Sequence, residues 1–316
     1  MRNVILRTLA FVAGVTALGV PACSQDAICD PGEVADAREL ADLIDCASRA
    51  LVVVWRDDIR QAARTAGIDL SGVGLLAHEG CVWRPEWPSP EDPSKISYGK
   101  TLLYYSNYLQ QAYLLYLLGR DEAATPEMVN EYLQERLLPA LRDDVRHCSV
   151  SGEQPRGYPS APIPSILEGK VSAERYNALM QYLSGHPTMP GLGDATGGLP
   201  VIFALLHEAG HALLHPREPQ GRSEDEVEAD EFASRVFVAT DMPVALGLGH
   251  LELFYYNNRA LENPAVACRL AMLARRYPTG RSFAEDYGRD VYDRLEALRK
   301  SYVARYGESC SGDSDL

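Results

Sequence analysis

Residues 200–215 read Pro-Val-Ile-Phe-Ala-Leu-Leu-His-Glu-Ala-Gly-His-Ala-Leu-Leu-His, and residues 223–237 read Ser-Glu-Asp-Glu-Val-Glu-Ala-Asp-Glu-Phe-Ala-Ser-Arg-Val-Phe. In the first stretch Ile202, Leu205, Leu206, Ala209 and Leu213 recur at helical spacing, and Pro200 suits a first helical turn. Residues four apart share a helix face, so His207 and His211 can offer ring nitrogens to one metal ion. Glu208 is rotated by about 100° around the axis. That places a carboxylate beside a metal rather than on it, the arrangement of an HExxH motif. Gly210 costs such a helix up to ~1 kcal/mol relative to Ala. Close approach of a neighbouring element or of substrate would justify it.

Two histidines need a third ligand. His215 continues the stripe, but eight residues place it ~12 Å along the axis from His207, so it is expected at the helix end or behind the ligands. The longer pattern with a third histidine at position 217 fails, because Leu214 and Arg217 stand where Gly and His are required. The acidic stretch is the remaining source. Ser223 with Glu226 fits a capping box and sets a helix start. Glu226 and Asp230 share a face, and Ala229 and Ala233 keep that face small enough for another helix to approach. Glu226 is therefore expected as the third ligand, with Glu224 and Glu228 as rivals. Asp230, one turn on, is placed to accept the free N–H of a liganding histidine. A solvated acidic helix is the ordinary meaning of such a run. Its position directly after HExxH favours the metal reading.

The cofactor expected from this donor set is one zinc ion per chain, which lowers the pKa of a bound water toward ~7 and polarises a carbonyl. Glu208 is then the expected catalytic base, taking a proton from the water and delivering it to the leaving amine.

His207-Glu208-Ala209-Gly210-His211, followed by Glu226, Ala229, Asp230, Phe232 and Ala233, resembles the gluzincin metallopeptidases, and within them a group exported by bacteria. The resemblance covers residues 202–237, with a fainter likeness in residues 221–225, Asn263-Pro264 and Cys268. It implies a zincin-like fold: an active-site helix, a ligand-bearing helix and a small sheet whose edge strand holds extended substrate. It also implies a peptide or protein substrate. Residues 96–98 are the candidate for that edge strand. Arg235, His250, Tyr255 and Tyr256 are candidates to stabilise an oxyanion, and nothing in the sequence selects one of them.

Outward from the motif the chain reads as mainly helical, an α+β protein with little strand. Residues 32–47 show helical spacing, and residues 51–55 read as a strand or as the start of the next helix. Prolines 85, 88, 90 and 93 mark a loop. Residues 96–105 suggest a strand running into a helix that ends near Gly119. Thr125-Pro126-Glu127 reads as an N-cap with proline at the first position, opening a helix to about Arg146. Residues 151–164 and 184–200 read as loops. Further helices are expected near 224–238, 242–258, 264–277 and 284–306.

The N-terminus carries a different signal. Arg2 and Arg7 precede an uncharged run over residues 8–20, shorter than the ~20 residues a membrane span needs. Residues 1–22 are accordingly expected to be an export signal, and residues 23–316 a single zincin-like catalytic domain whose N-terminal part is a candidate subdomain. Val20-Pro21-Ala22-Cys23 resembles a bacterial lipoprotein box, so the expected membrane association is a lipid on Cys23. Setting Cys23 aside leaves Cys29, Cys46, Cys81, Cys148, Cys268 and Cys310, an even set suited to disulfides in an oxidising compartment such as the periplasm. The net charge of −14 over 316 residues excludes nucleic acid as the expected partner, because no basic stripe is present to displace counterions. Two other readings stand beside the peptidase. One is a zinc hydrolase of a non-peptide amide, and the other is an envelope lipoprotein that keeps the scaffold without catalysis.

Overall fold

The structure, a computed structural model, describes residues 48–49, 51–78, 84–99, 102–103, 105–106, 109, 112–113, 116–117, 125–151, 189–215, 223–257, 263–280, 284–285 and 288–310. The export signal, Cys23 and the helix expected over residues 32–47 lie outside the described residues. Among those described, the protein is mainly helical, with a small two-stranded parallel sheet. No helix among them is long and apolar enough to cross a membrane.

In chain order, residues 51–54 are helical and lead into a π-helical turn Trp55–Ile59 and α1 Arg60–Thr65, which settles the strand-or-helix alternative at residues 51–55. Strands β1 (Gly74–His78) and β2 (Lys95–Gly99) form the sheet, and β2 contains the strand expected at residues 96–98. Helix α2 (Pro126–Tyr132), a π-helical turn Leu133–Leu137 and α3 (Leu138–Ser151) follow one another without a break. Thr125 caps α2 as the sequence suggests, its Oγ1 accepting the Met128 N–H at 3.2 Å. The expected end near Arg146 is passed by five residues. Buried, disulfide-bonded Cys148 anchors this last turn.

The larger correction concerns residues 189–200. They were expected as loop and instead begin α4, which runs from Met189 to Leu214 with Pro200 in its interior. An interior proline removes a backbone hydrogen bond and costs a helix ~3 kcal/mol or more. Here Leu199, Val201 and Ile202 are fully or almost fully buried, so tertiary packing outweighs the local preference. The remaining helices are α5 (Ser223–Ala239), α6 (Val244–Asn257), α7 (Pro264–Arg276) and α8 (Arg289–Tyr306), ending in a 3-10 turn Gly307–Cys310.

By internal contacts the chain divides into two units, Met1–Gln61 with Leu75–Trp83 and Tyr98–Leu199, and Ala62–Gly74 with Arg84–Ser97 and Pro200–Leu316. The first has an aromatic core that includes Trp55, Tyr98, Tyr105, Tyr113 and Tyr132. A buried tyrosine needs a partner for its hydroxyl. Tyr98 bonds to Ser48, and Tyr105 donates to buried Asp144 at 3.3 Å.

The second unit holds the motif. In it α7 packs on α5, α6 and α8, and α6 also packs on α5 and α8. Phe203 of α4 meets Phe237 of α5 edge-to-face at 5.1 Å. Gly247 lets α6 pass the same ring, since a Cβ there would lie within contact distance of Phe203 carbons. Buried Glu252 of α6 accepts from Arg305 and from the Tyr306 hydroxyl at the end of α8. A disulfide joins Cys268 of α7 to Cys310.

The position of α7 starts at its cap. Asn263 is in extended conformation, its Oδ1 accepts the Ala265 N–H at 3.0 Å, and Pro264 occupies the first turn. Asn263→Ala is expected to cost about 1 kcal/mol, read as a lower midpoint in chemical denaturation without a change in secondary structure.

Candidate metal centre

The motif helix and the acidic helix meet with almost no space between them. A Cβ built on Gly210 would lie 2.9 Å from the Ala229 Cα and 3.2 Å from the Cβ atoms of Ala229 and Phe232. Gly210 is thus explained by close approach of α5, one of the two reasons its presence suggested. Ala229, fully buried, supplies the other small surface. This approach brings side chains from positions 207–211 against those one turn to either side of Ala229.

His207, His211 and Glu226 converge into a group that can hold a metal ion. The two Nε2 atoms are 3.2 Å apart, Glu226 Oε2 is 3.4 Å from His207 Nε2, and Glu226 Oε1 is 3.4 Å from His211 Nε2. Each ring nitrogen thus faces a different oxygen of Glu226, and one ligand atom from each of the three residues can be chosen so that all lie within 4.8 Å of one another.

The rival acids stand elsewhere. Glu224 is exposed, and Glu228 is exposed with its Oε2 3.1 Å from His215 Nε2. His215 Nδ1 lies 3.7 Å from Asp225. His215 therefore ties the end of α4 to the first turns of α5, the helix-end role its spacing suggested.

Behind the ligands lies a chain of buried charge. His207 Nδ1–H donates to Asp230 Oδ1 at 2.8 Å, which points Nε2 toward His211 and Glu226. Asp230 is 1% exposed, and its other oxygen accepts from Arg269 Nε at 3.0 Å and Nη2 at 2.6 Å. Arg269 Nη2 also reaches the Glu226 carbonyl at 3.1 Å and Glu226 Oε2 at 3.5 Å. Arg269 escaped the sequence reading because it comes from α7, 39 residues beyond Asp230. Its only local sign was an arginine within the otherwise apolar run Ala267 to Leu273. His211 has no such brace. Its Nδ1 is buried without a hydrogen-bond partner among the described residues.

These contacts set the charges. Burial opposes a charged His207, but Asp230 and Glu226 outweigh it and raise the imidazole to about 10 while no metal is bound. Burial likewise opposes ionisation of Glu226, yet the two histidines and Arg269 hold it well below the usual carboxylate range. Asp230 is lowered against its burial by Arg269 and His207.

Glu208 stands beside the donor group with part of its surface open. Burial pushes its carboxyl up to about 7, against the pull of both imidazoles and of a backbone amide. That amide belongs to Trp87, whose N–H donates to Glu208 Oε2 at 3.0 Å. The local backbone explains the contact. Glu86 exchanges both of its backbone hydrogen bonds with Ser97, at 2.9 and 3.0 Å. Trp87 follows in a bend of the chain, and its N–H turns to Glu208. The strand expected to border the site at residues 96–98 is therefore covered by Glu86, and the backbone facing Glu208 is one segment further out. Among the oxyanion candidates, Arg235 is exposed, and the side chains of His250, Tyr255 and Tyr256 lie outside the described residues.

In comparisons with known proteins, no family model, curated protein or solved structure matches this chain.

Gly210→Ala tests the helix approach by the sign of its effect. Helix propensity alone would add up to ~1 kcal/mol of stability. Overpacking against Ala229 is expected to remove about 1–3 kcal/mol instead and to weaken metal binding, read by thermal unfolding and by competition with a chromophoric chelator.

Proposed function

We propose that this protein is a zinc-dependent metallopeptidase of gluzincin type, with a zincin-like catalytic fold, acting outside the cytoplasm. The observation that carries this reading is the convergence of the His207, His211 and Glu226 donor atoms into one group, with Glu208 alongside. Two imidazoles and one carboxylate are a common donor set of catalytic zinc sites, which keep a fourth position for water, whereas structural zinc sites take four protein ligands.

When bound, zinc would supply a Lewis acid and bring the pKa of a coordinated water toward ~7. The residues of this chain do the rest. His207 is oriented by Asp230 and presents Nε2, and Glu226 presents its carboxylate from α5. Glu208, beside the donor group, would accept a proton from the attacking water and return it to the departing amine.

Support for a peptide substrate comes from the segment Arg84–Trp87. One edge of it pairs with Ser97, and the other turns the Trp87 amide toward the centre. The Trp87 amide is bonded to Glu208, so an extended chain would add here by taking over that donor. Support for action outside the cytoplasm comes from the charged and apolar pattern of residues 1–22, and from the disulfide-bonded Cys148, Cys268 and Cys310.

Metal analysis of the purified protein tests the proposal. Wild type is expected to carry about one zinc per chain, Glu226→Ala to lose it, and Glu208→Gln to keep it while losing hydrolysis of a peptide library. Zinc bound without any turnover, unchanged by Glu208→Gln, would reject catalysis. A wild-type protein that takes up no zinc at neutral pH would reject the metal centre itself.

A further inference from the structure

We infer that Arg269 is a positioning residue of the metal centre: one guanidinium, fixed on α7, holds Glu226 and the Asp230–His207 pair together from behind. The inference rests on the metal reading of the site given above.

Three observations carry it. Arg269 is 4% exposed, and its Nε and Nη2 both bond to Asp230 Oδ2, leaving Oδ1 for His207. Its Nη2 also reaches the carbonyl and the carboxylate of Glu226, so a single side chain contacts the support of one ligand and the body of another. The residue itself is anchored. Its neighbour Cys268 is bonded to Cys310, and α7 packs on α5 and α8. The His211 Nδ1 has no hydrogen-bond partner among the described residues, whereas His207 and Glu226 are both reached through Arg269.

Charge alone would make Arg269 an obstacle. A cation this close to two ligand groups repels a divalent ion, so its removal would tighten metal binding. Positioning predicts the opposite sign, because Glu226 and His207 would then have to be ordered by the ion itself. Loss of a partner that orients metal ligands typically costs 10–100-fold in affinity.

A cavity of about 320 Å³ makes a second test feasible. It is lined by Val227, Met272 and Leu273 together with Asp230 and Arg269 themselves. Truncation of Arg269 would join the vacated space to this cavity, giving a guanidinium ion a route to Asp230.

The experiment measures the zinc dissociation constant by chelator competition for wild type, Arg269→Ala and Arg269→Lys, each checked for folding by circular dichroism. Arg269→Ala is expected to bind zinc roughly 10–100-fold more weakly, and guanidinium at non-denaturing concentration to restore part of the loss. Simple loss of packing would not respond to guanidinium. Arg269→Lys keeps the charge but has a single point donor, so it is expected to fall between the two, with an altered visible spectrum when loaded with cobalt(II). Where Arg269→Ala does not fold, Arg269→Lys carries the test. Unchanged or tighter zinc binding in Arg269→Ala overturns the inference, as does wild-type affinity with an unaltered cobalt spectrum in Arg269→Lys. Failure of the wild type to bind any metal overturns the parent reading instead, so the two failures are distinguishable.

Discussion

The motif helix and the acidic helix nearly touch at Gly210 and Ala229, and this contact sets how closely the donor atoms of His207, His211 and Glu226 approach one another. Side chains of histidine and glutamate reach a fixed distance from their own axes. A larger residue at either position would push the axes apart and the three donor groups with them. The glycine costs α4 some intrinsic stability, and burial of Phe203, Leu206, Phe232 and Phe237 around the contact offsets it. The local sacrifice in α4 is meaningful only together with its partner helix.

Once the helices are in contact, electrostatics becomes the governing problem. Glu208, Glu226 and Asp230 bring three acidic groups into a small volume with two imidazoles and one guanidinium. Burying such charges is costly unless each is paired and hydrogen-bonded. Asp230 meets this requirement by dividing its oxygens between His207 and Arg269. Glu226 is placed between both histidines and Arg269. With these acids ionised and the histidines neutral, a divalent ion would bring the group to electrical neutrality. The carboxylates thus favour an ion, and the guanidinium keeps their excess charge from pulling the site apart. Glu208 is the exception in this network. Its surface is partly open, and among the described residues the Trp87 amide donates to one of its oxygens.

The segment around Trp87 shows how distant parts of the chain converge. Prolines at 85, 88, 90 and 93 correctly indicated irregular backbone. They said nothing of Glu86 pairing with Ser97, which turns the next amide toward Glu208. The edge strand suggested by the sequence at residues 96–98 is real as a strand, but Glu86 covers it. Likewise the segment over residues 189–200 carried every local sign of a loop, with glycines and prolines throughout, and is helical because Leu199 to Ile202 are buried. Local propensities of about 1 kcal/mol per residue are easily outweighed when several apolar side chains are withdrawn from water.

What the sequence determined by itself is what helix periodicity can carry. The four-residue spacing of His207 and His211 placed them on one face. The same spacing aligned Glu226 with Asp230, and the cap at Thr125 located a helix start. Such relations lie within one or two turns, and the backbone hydrogen-bond pattern enforces them whatever surrounds the helix. The choice of Glu226 over Glu224 and Glu228 was only preferred by the sequence. The structure groups Glu226 with both histidines and leaves Glu224 and Glu228 exposed, because only one face of α5 can point at the histidines. Arg269 and the Trp87 amide were decided by tertiary structure alone. Contacts between residues 39 to 121 positions apart depend on how whole elements pack, and no local pattern encodes that.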